Sequence, residues 1–150
     1  MPGAADFPEP DLPQARLGQD VVQLLVAMSG RLTQHFATRA AEFDLSAAEG
    51  KVLLNLAPGE TLAMRALARK LRYDASNLTG LVDRLEARGA VERRTDQADR
   101  RVKGITATKQ GLELRESFWR RLQADAGPVN SLTEAQLHQL RELLTLAMEE

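Results

Sequence analysis

The chain contains no cysteine, which removes disulfides, thiolate zinc sites, cysteine nucleophiles and thiol redox sensing together. Aromatic residues make up only 4 %, so any core must be built mainly from Leu, Val and Ala. No apolar run approaches the ~20 residues of a membrane-spanning helix. The N-terminus also lacks a basic segment followed by an apolar one, since Pro2, Pro8, Pro10 and Pro13 alternate there with Asp6, Glu9 and Asp11. No signal peptide and no membrane partner are therefore expected, and the cytoplasm is the default location. The sequence has two distant histidines, no Gly-rich phosphate loop, no metal-ligand spacing and no nucleophile beside a base. Enzymatic chemistry finds no support in it.

The 150 residues suit one domain, and 43 % hydrophobic with 27 % charged residues is ordinary for a soluble fold. The net charge of −1 says nothing about partners, but its distribution does. Leu62 to Thr106 carries eleven Lys/Arg against six Asp/Glu, a net of +5, while the remainder carries −6. A positive field confined to one segment marks that segment as the one to touch phosphates.

Within it, DASNLTGLVDRLEARGAVERRTDQADRR at Asp74 to Arg101 organises the chain. Leu78, Leu81, Val82 and Leu85 recur at three- and four-residue steps, predicting an amphipathic helix from Asp74, its N-cap, to Arg88 before Gly89. The opposite face presents Ser76, Asn77, Thr79, Gly80, Asp83 and Arg84. Small residues permit close approach to a groove, and polar ones can bond base edges or phosphates. A strand at Val91–Arg94, turn formers at Thr95 to Asp99, then Arg100, Arg101 and a strand at Val102–Thr106 read as a basic hairpin. Helix followed by hairpin defines a winged helix-turn-helix.

Elsewhere the pattern is helical. Residues 1–13 read as a flexible tail. Leu17, Val21, Leu24, Met28, Leu32 and Phe36 approach a heptad seam in a helix from Gln14 to about Phe43, with Gly30 as a place for a bend. Ser46 and Glu49 form a capping box for a helix running to Leu56. Glu60–Leu62 is a short strand candidate, and Met64–Leu71 the next helix. Thr108 caps a long helix whose Leu112, Arg115, Trp119 and Leu122 mark one side, broken at Gly127-Pro128. Thr133 and Gln136 form a second capping box before a final helix bearing Leu137, Leu140, Leu144 and Ala147.

These motifs resemble the MarR family, the multiple-antibiotic-resistance type of bacterial transcriptional regulators. The resemblance runs from about Leu45 to Gly111 and is carried by ALARKL at Ala66–Leu71, SNLTGLVDRLEARGAVERR at Ser76–Arg94 and DQADRR at Asp96–Arg101. It implies a mostly α fold: a winged helix-turn-helix at 45–107, with 14–43 and 109–150 as dimerisation helices. It implies a homodimeric repressor on near-palindromic double-stranded DNA, released by a small, often phenolic, anion. It makes the Asp74 helix the major-groove reader through Ser76, Asn77, Thr79, Gly80 and Arg84. Arg100 and Arg101 become wing residues, with Asp99 in support and Arg101 as the minor-groove contact. Three departures stand out. Arg72 replaces a common Gly, where a left-handed backbone would cost about 1–2 kcal/mol, so a different turn is expected. Ala63 replaces a Thr or Ser cap, weakening that helix start by about 1 kcal/mol. Gly104 and Ala107 replace larger apolar residues, so a looser wing is expected.

Two further constellations carry chemistry. His35, Phe36 and Arg39 could hold an aromatic carboxylate, against the reading that His35 packs in the first helix and bonds a neighbour. Glu134, His138 and Glu142 share a helical face, a spacing more usual for solvated surface than for a metal site. Arg84 could contact phosphate or join a salt-bridge cluster with Asp83, Glu86 and Arg88. Apart from a small anionic effector, no cofactor or metal is expected. The competing function is a winged-helix module that binds protein rather than specific DNA; such modules typically lose the basic wing, which is kept here.

Overall fold

The computed structural model describes residues 13–95, 98–101 and 103–149. The expected tail thus lies outside the described residues except for Pro13, as do part of the wing turn (residues 96 and 97) and the expected strand start at Val102. Among the described residues, six α-helices and one small sheet make up the fold. They run α1 (Pro13–Ala41), α2 (Ala47–Leu54), β1 (Leu62–Ala63), α3 (Met64–Leu71), α4 (Ala75–Ala87), β2 (Val91–Thr95), β3 (Lys103–Ala107), α5 (Lys109–Gln123) and α6 (Glu134–Met148). A single 3₁₀ turn at Gly127–Val129 lies between α5 and α6.

Cap chemistry sets the helix starts. Ser46 and Glu49 make the reciprocal box at α2, Thr133 and Gln136 at α6, and Thr108 accepts the Gly111 amide at α5. Pro13 belongs to α1 rather than to the tail, since a proline's missing N–H costs nothing in the first helical turn. α1 ends at Ala41, two residues earlier than expected, where Asp44 takes φ +55. α2 likewise stops at Leu54, short of Leu56, with Asn55 as its C-cap. α5 is over at Gln123, before Gly127 and Pro128 are reached. Ala63 begins α3 without any side-chain cap, as its methyl dictates.

The turn between α3 and α4 keeps its left-handed residue despite the missing glycine. Arg72 sits at φ 56, ψ 41, with its amide returning to Arg69 O (3.3 Å) and the Tyr73 amide to Ala68 O (2.9 Å). The strain is accepted because these bonds close α3 and aim the chain into α4.

The sheet order is β1-β3-β2, all antiparallel, with Leu62 opposite Ile105 and Ala63 opposite Gly104. β1 thus starts two residues later and ends one later than expected, Thr95 extends β2, and Ala107 extends β3. Gly104 does not loosen the wing. A Cβ there would lie 2.9 Å from Leu62 O and 2.7 Å from Thr61 Cγ2, so glycine is what lets β1 pair at all.

The core gathers Leu78, Leu81, Val82 and Leu85 of α4 against Val52 and Leu53 of α2, Leu56 beyond it, Leu67 of α3, Val91, Ile105 and Phe118. Phe118 is fully buried and meets Phe36 edge-on at 5.4 Å and Phe43 at 5.7 Å. α5 therefore turns Gly111, Leu114 and Phe118 inward, not the side marked by Leu112, Arg115 and Trp119; Trp119 stays 46 % exposed. Gly111 decides this rotation, because a methyl there would overlap the Ala90 carbonyl.

α1 and α6 are different. Ala40 is the one buried residue of α1, and no described residue of α6 is buried. Leu17, Val21, Val22, Leu24, Leu25, Val26 and Leu32 are exposed on α1, and Leu137, Leu143, Leu144, Leu146 and Met148 on α6. Among the described residues no helix is long and apolar enough to cross a membrane.

Candidate nucleic-acid interface

α4 is capped at its start and tied to the body at its end. Asp74 Oδ1 accepts the Asn77 amide at 2.7 Å and the Ser76 hydroxyl at 2.9 Å, and these bonds hold its carboxyl below the usual range. At the other end Gly89 takes φ +74, and Arg88 donates to Phe43 O (2.9 Å) and Asp44 O (2.5 Å). With four apolar residues buried on one side, Ser76, Asn77, Thr79 and Arg84 are exposed on the other, and Gly80 is half-buried between them.

The exposed face is not chemically uniform. The Ser76 hydroxyl is committed to Asp74, and Thr79 Oγ1 donates to Ala75 O at 2.8 Å. The Asn77 side chain makes no bond within the described residues, so its amide retains both donor and acceptor for a partner. A Cβ on Gly80 would meet only Arg84 Nη1 at 3.7 Å, so glycine keeps the surface low rather than avoiding a clash.

Arg84 does not project freely. Its Nε donates to Glu49 Oε1 on α2 at 2.8 Å, while Glu49 Oε2 accepts the Ser46 amide. Burial alone would raise the Glu49 pKa, but the Ser46 amide and the Arg84 guanidinium together pull it below the usual value. Asp83 and Glu86 are likewise taken up. Arg93 of β2 donates to both, which ties the wing's first strand to α4 and holds Arg93 in its charged form. The cluster expected among Arg84, Asp83, Glu86 and Arg88 therefore does not form: Arg84 turns to Glu49, Arg88 to backbone carbonyls, and Arg93, invisible from helical spacing, takes both acids.

The wing tip is another matter. Arg100 and Arg101 are exposed and form no ion pair among the described residues. Asp99 Oδ1 accepts the Arg101 amide at 3.0 Å, so the acid shapes the turn and leaves the arginine's charge unneutralised.

His35, Phe36 and Arg39 are not brought to one cavity. His35 Nε2 donates to Asp125 O at 3.2 Å. Phe36 turns to Phe118, and Arg39 is held by Glu42 and by Asp125 Oδ2 at 2.7 Å. Asp125 also accepts the Gly127 amide and the Asn130 side chain, and these bonds, with Arg39 and His35 nearby, keep its pKa low against the opposing effect of burial. An open cavity of about 570 Å³ lies beside this joint, lined by Arg31, Gln34, His35, Thr38 and the Gly127–Ser131 segment. Of the three residues singled out from the sequence, only His35 lines it. Arg31, which forms no ion pair among the described residues, is the cation there. At α6, His138 accepts from Arg141 at 3.2 Å and lies 3.9 Å from Glu134.

A helix presenting a low polar face, followed by a hairpin ending in two unpaired arginines, defines a DNA-binding winged helix-turn-helix protein. Comparison with known proteins supplies the family. Residues 43–102 match the model of the MarR family. A MarR-family transcriptional regulator from Rhodococcus sp. RHA1 is 30 % identical, with 89 % of this chain and 96 % of that one covered and a TM-score of 0.69. CouR from Rhodococcus jostii RHA1, solved bound to p-coumaroyl-CoA, has the same identity and coverage with a TM-score of 0.70. The organic hydroperoxide resistance transcriptional regulator of Bacillus subtilis (strain 168) is 27 % identical over 101 residues, 67 % of this chain and 69 % of that protein. The chain belongs to the MarR family of DNA-binding transcriptional regulators.

Proposed function

We propose that the protein is a homodimeric repressor that blocks transcription by occupying a near-palindromic site. Two α4 helices, held about one duplex turn (~34 Å) apart, enter successive major grooves. Asn77 and Thr79 meet base edges, Ser76 and Gly80 allow close approach, and Arg84 stands at the rim. Arg100 and Arg101 reach the flanking minor groove, with Asp99 shaping the turn. The observation that carries this reading is the pairing of an exposed polar face on α4 with wing arginines that have no acidic partner among the described residues.

Dimerisation is supported by the apolar surfaces of α1 and α6, which no part of the described chain covers. Such surface on two long helices calls for a second copy. An effector is supported by the cavity beside His35 and Arg31, and by the p-coumaroyl-CoA bound to CouR. A small aromatic anion lodged there would bias the spacing of the two α4 helices, provided it binds one spacing better than the other.

The test is a fluorescence-anisotropy titration against the intergenic duplex upstream of the protein's own gene, with a random duplex as competitor. Preference for the upstream duplex by a hundredfold or more supports the reading. Equal affinity for both refutes it.

A further inference from the structure

The register that sets Ala63 opposite Gly104 has a consequence at its outer end. Past Ala63 the chain enters α3, and back from Gly104 it reaches Lys103 and then Arg101. The first turn of α3 and the tip-side end of the wing are therefore side by side. Arg65, Arg101 and Lys103 line one cleft of about 410 Å³ there together with Ala63 and Met64, and no carboxylate among the described residues lines it.

Arg84 is matched with Glu49, Arg93 with Asp83 and Glu86, and Arg94 with Glu92. Arg65, Arg101 and Lys103 form no ion pair among the described residues. Cations that converge on one cleft repel each other, and that repulsion is relieved when an anion sits among them. The side-chain set suits a phosphodiester, with guanidinium forks and an ammonium facing two unesterified oxygens. Gly104 is the condition for the cleft, because any side chain there would drive β1 away from β3.

We infer that this cleft seats one backbone phosphate of the bound DNA, held from two sides by Arg65 of α3 and Lys103 of β3. This rests on the DNA-binding reading above and adds two residues to it. Arg65 and Lys103 belong to different elements, so a shared phosphate also locks the wing against the helix-turn-helix body. Wing and α4 then meet the duplex at one fixed angle.

The test measures duplex binding by anisotropy across a salt series for wild type, R65Q, K103Q, the double variant R65Q/K103Q, and R65K. Thermal midpoints are recorded alongside. A shared phosphate predicts that the double variant loses about 0.9 in log–log salt slope per protomer, the value for one phosphate. R65K should keep the wild-type slope, and affinity should fall on upstream and random duplexes alike. A slope loss twice as large means two separate phosphates and overturns the shared seat. An unchanged slope in the double variant, with wild-type binding intact, overturns the cleft while leaving DNA binding standing. Failure of the wild type to bind either duplex overturns the DNA-binding reading itself, before any variant is compared.

Discussion

Glu49 Oε1 on α2 accepts a hydrogen bond from Nε of Arg84 on α4 at 2.8 Å, although Arg84 is 59 % exposed and the Glu49 residue only 7 %. One carboxylate thus closes the capping box of α2 and fixes the helix proposed to face DNA. A residue required for folding is thereby coupled to the orientation of one proposed to touch the groove.

Glu49→Gln keeps an oxygen for the Ser46 amide but removes the charge opposite Arg84. Stability at pH 7 should fall by about 1 kcal/mol, the scale of a charge-assisted bond replaced by a neutral one. The sign with pH follows from the depressed pKa of Glu49. Its contribution is complete above the ordinary value of 4.5 and is lost as pH falls through the lower folded value. Urea denaturation should therefore show the gap between wild type and variant closing below about pH 4. A gap that stays constant with pH would mean that the Arg84 pair contributes nothing.

Arg72 lies in the left-handed region, which costs a non-glycine residue about 1–2 kcal/mol. Glycine is relieved of that cost but brings about 0.5–1 kcal/mol of extra unfolded-state freedom. Arg72→Gly should accordingly stabilise by about 0.5–1 kcal/mol, read as a higher denaturant midpoint with unchanged slope. Destabilisation would show that the Arg72 side chain holds something the backbone geometry does not reveal.

The elements were legible in the sequence where the chemistry is local. Asp74, Ser46, Thr108 and Thr133 each bond an amide three residues on, so four helix starts could be read from residue type and spacing alone. The rotation of α5 was not. Leu112, Arg115, Trp119 and Leu122 have the right period, yet only Leu122 of these packs against the hydrophobic core, and the inward side runs through Gly111, Leu114 and Phe118, roughly 100° from Leu112, Arg115 and Trp119, one residue's rotation along a helix. What decides is the clash a side chain at Gly111 would make with Ala90, a contact between elements that periodicity does not carry. The same holds for Arg39 and Asp125, which are 86 residues apart in sequence and 2.7 Å apart in space.

Leu143 and Leu146 on α6 are 65 % and 68 % exposed. In a monomer, Leu143→Glu with Leu146→Glu would be close to neutral, within about 0.5 kcal/mol each. In a dimer built on α6 the same pair should dissociate it at micromolar concentration, visible by sedimentation, and abolish operator binding. A wild-type protein that sediments as a stable monomer would remove the basis for two-fold DNA recognition.

Arg31 and Arg39 should part company in the response to effector. Arg39 is neutralised by Glu42 and Asp125, and its loss should lower the thermal midpoint by loosening α1 from the α5–α6 joint. Arg31 lines the cavity and carries no acidic partner among the described residues. If salicylate-like aromatic acids weaken operator binding by the wild type, Arg31→Ala should abolish that response and leave effector-free binding intact. Equal responses in wild type and Arg31→Ala would place the effector elsewhere.

The wing and the reading helix should fail in different ways. Arg101 is exposed, unpaired by any acid among the described residues, and held at the tip by its own amide bond to Asp99. The contact with DNA proposed for it is electrostatic, strongest where A·T-rich sequence narrows the minor groove. Arg101→Ala should therefore weaken binding to specific and random duplexes together and reduce the salt slope by about one per protomer. Asn77 differs, because among the described residues its amide has donor and acceptor both free and no structural bond to lose. Asn77→Ala should cost about 1–3 kcal/mol per half-site on the specific duplex and leave random binding unchanged. Thr79→Ala should cost less than Asn77→Ala, because the Thr79 hydroxyl proton is already spent on Ala75 O. General destabilisation cannot mimic this contrast, since neither Arg101 nor Asn77 side chain supports the core. Should Arg101→Ala leave both affinity and salt slope untouched, the wing does not reach DNA, and recognition rests on α4 alone.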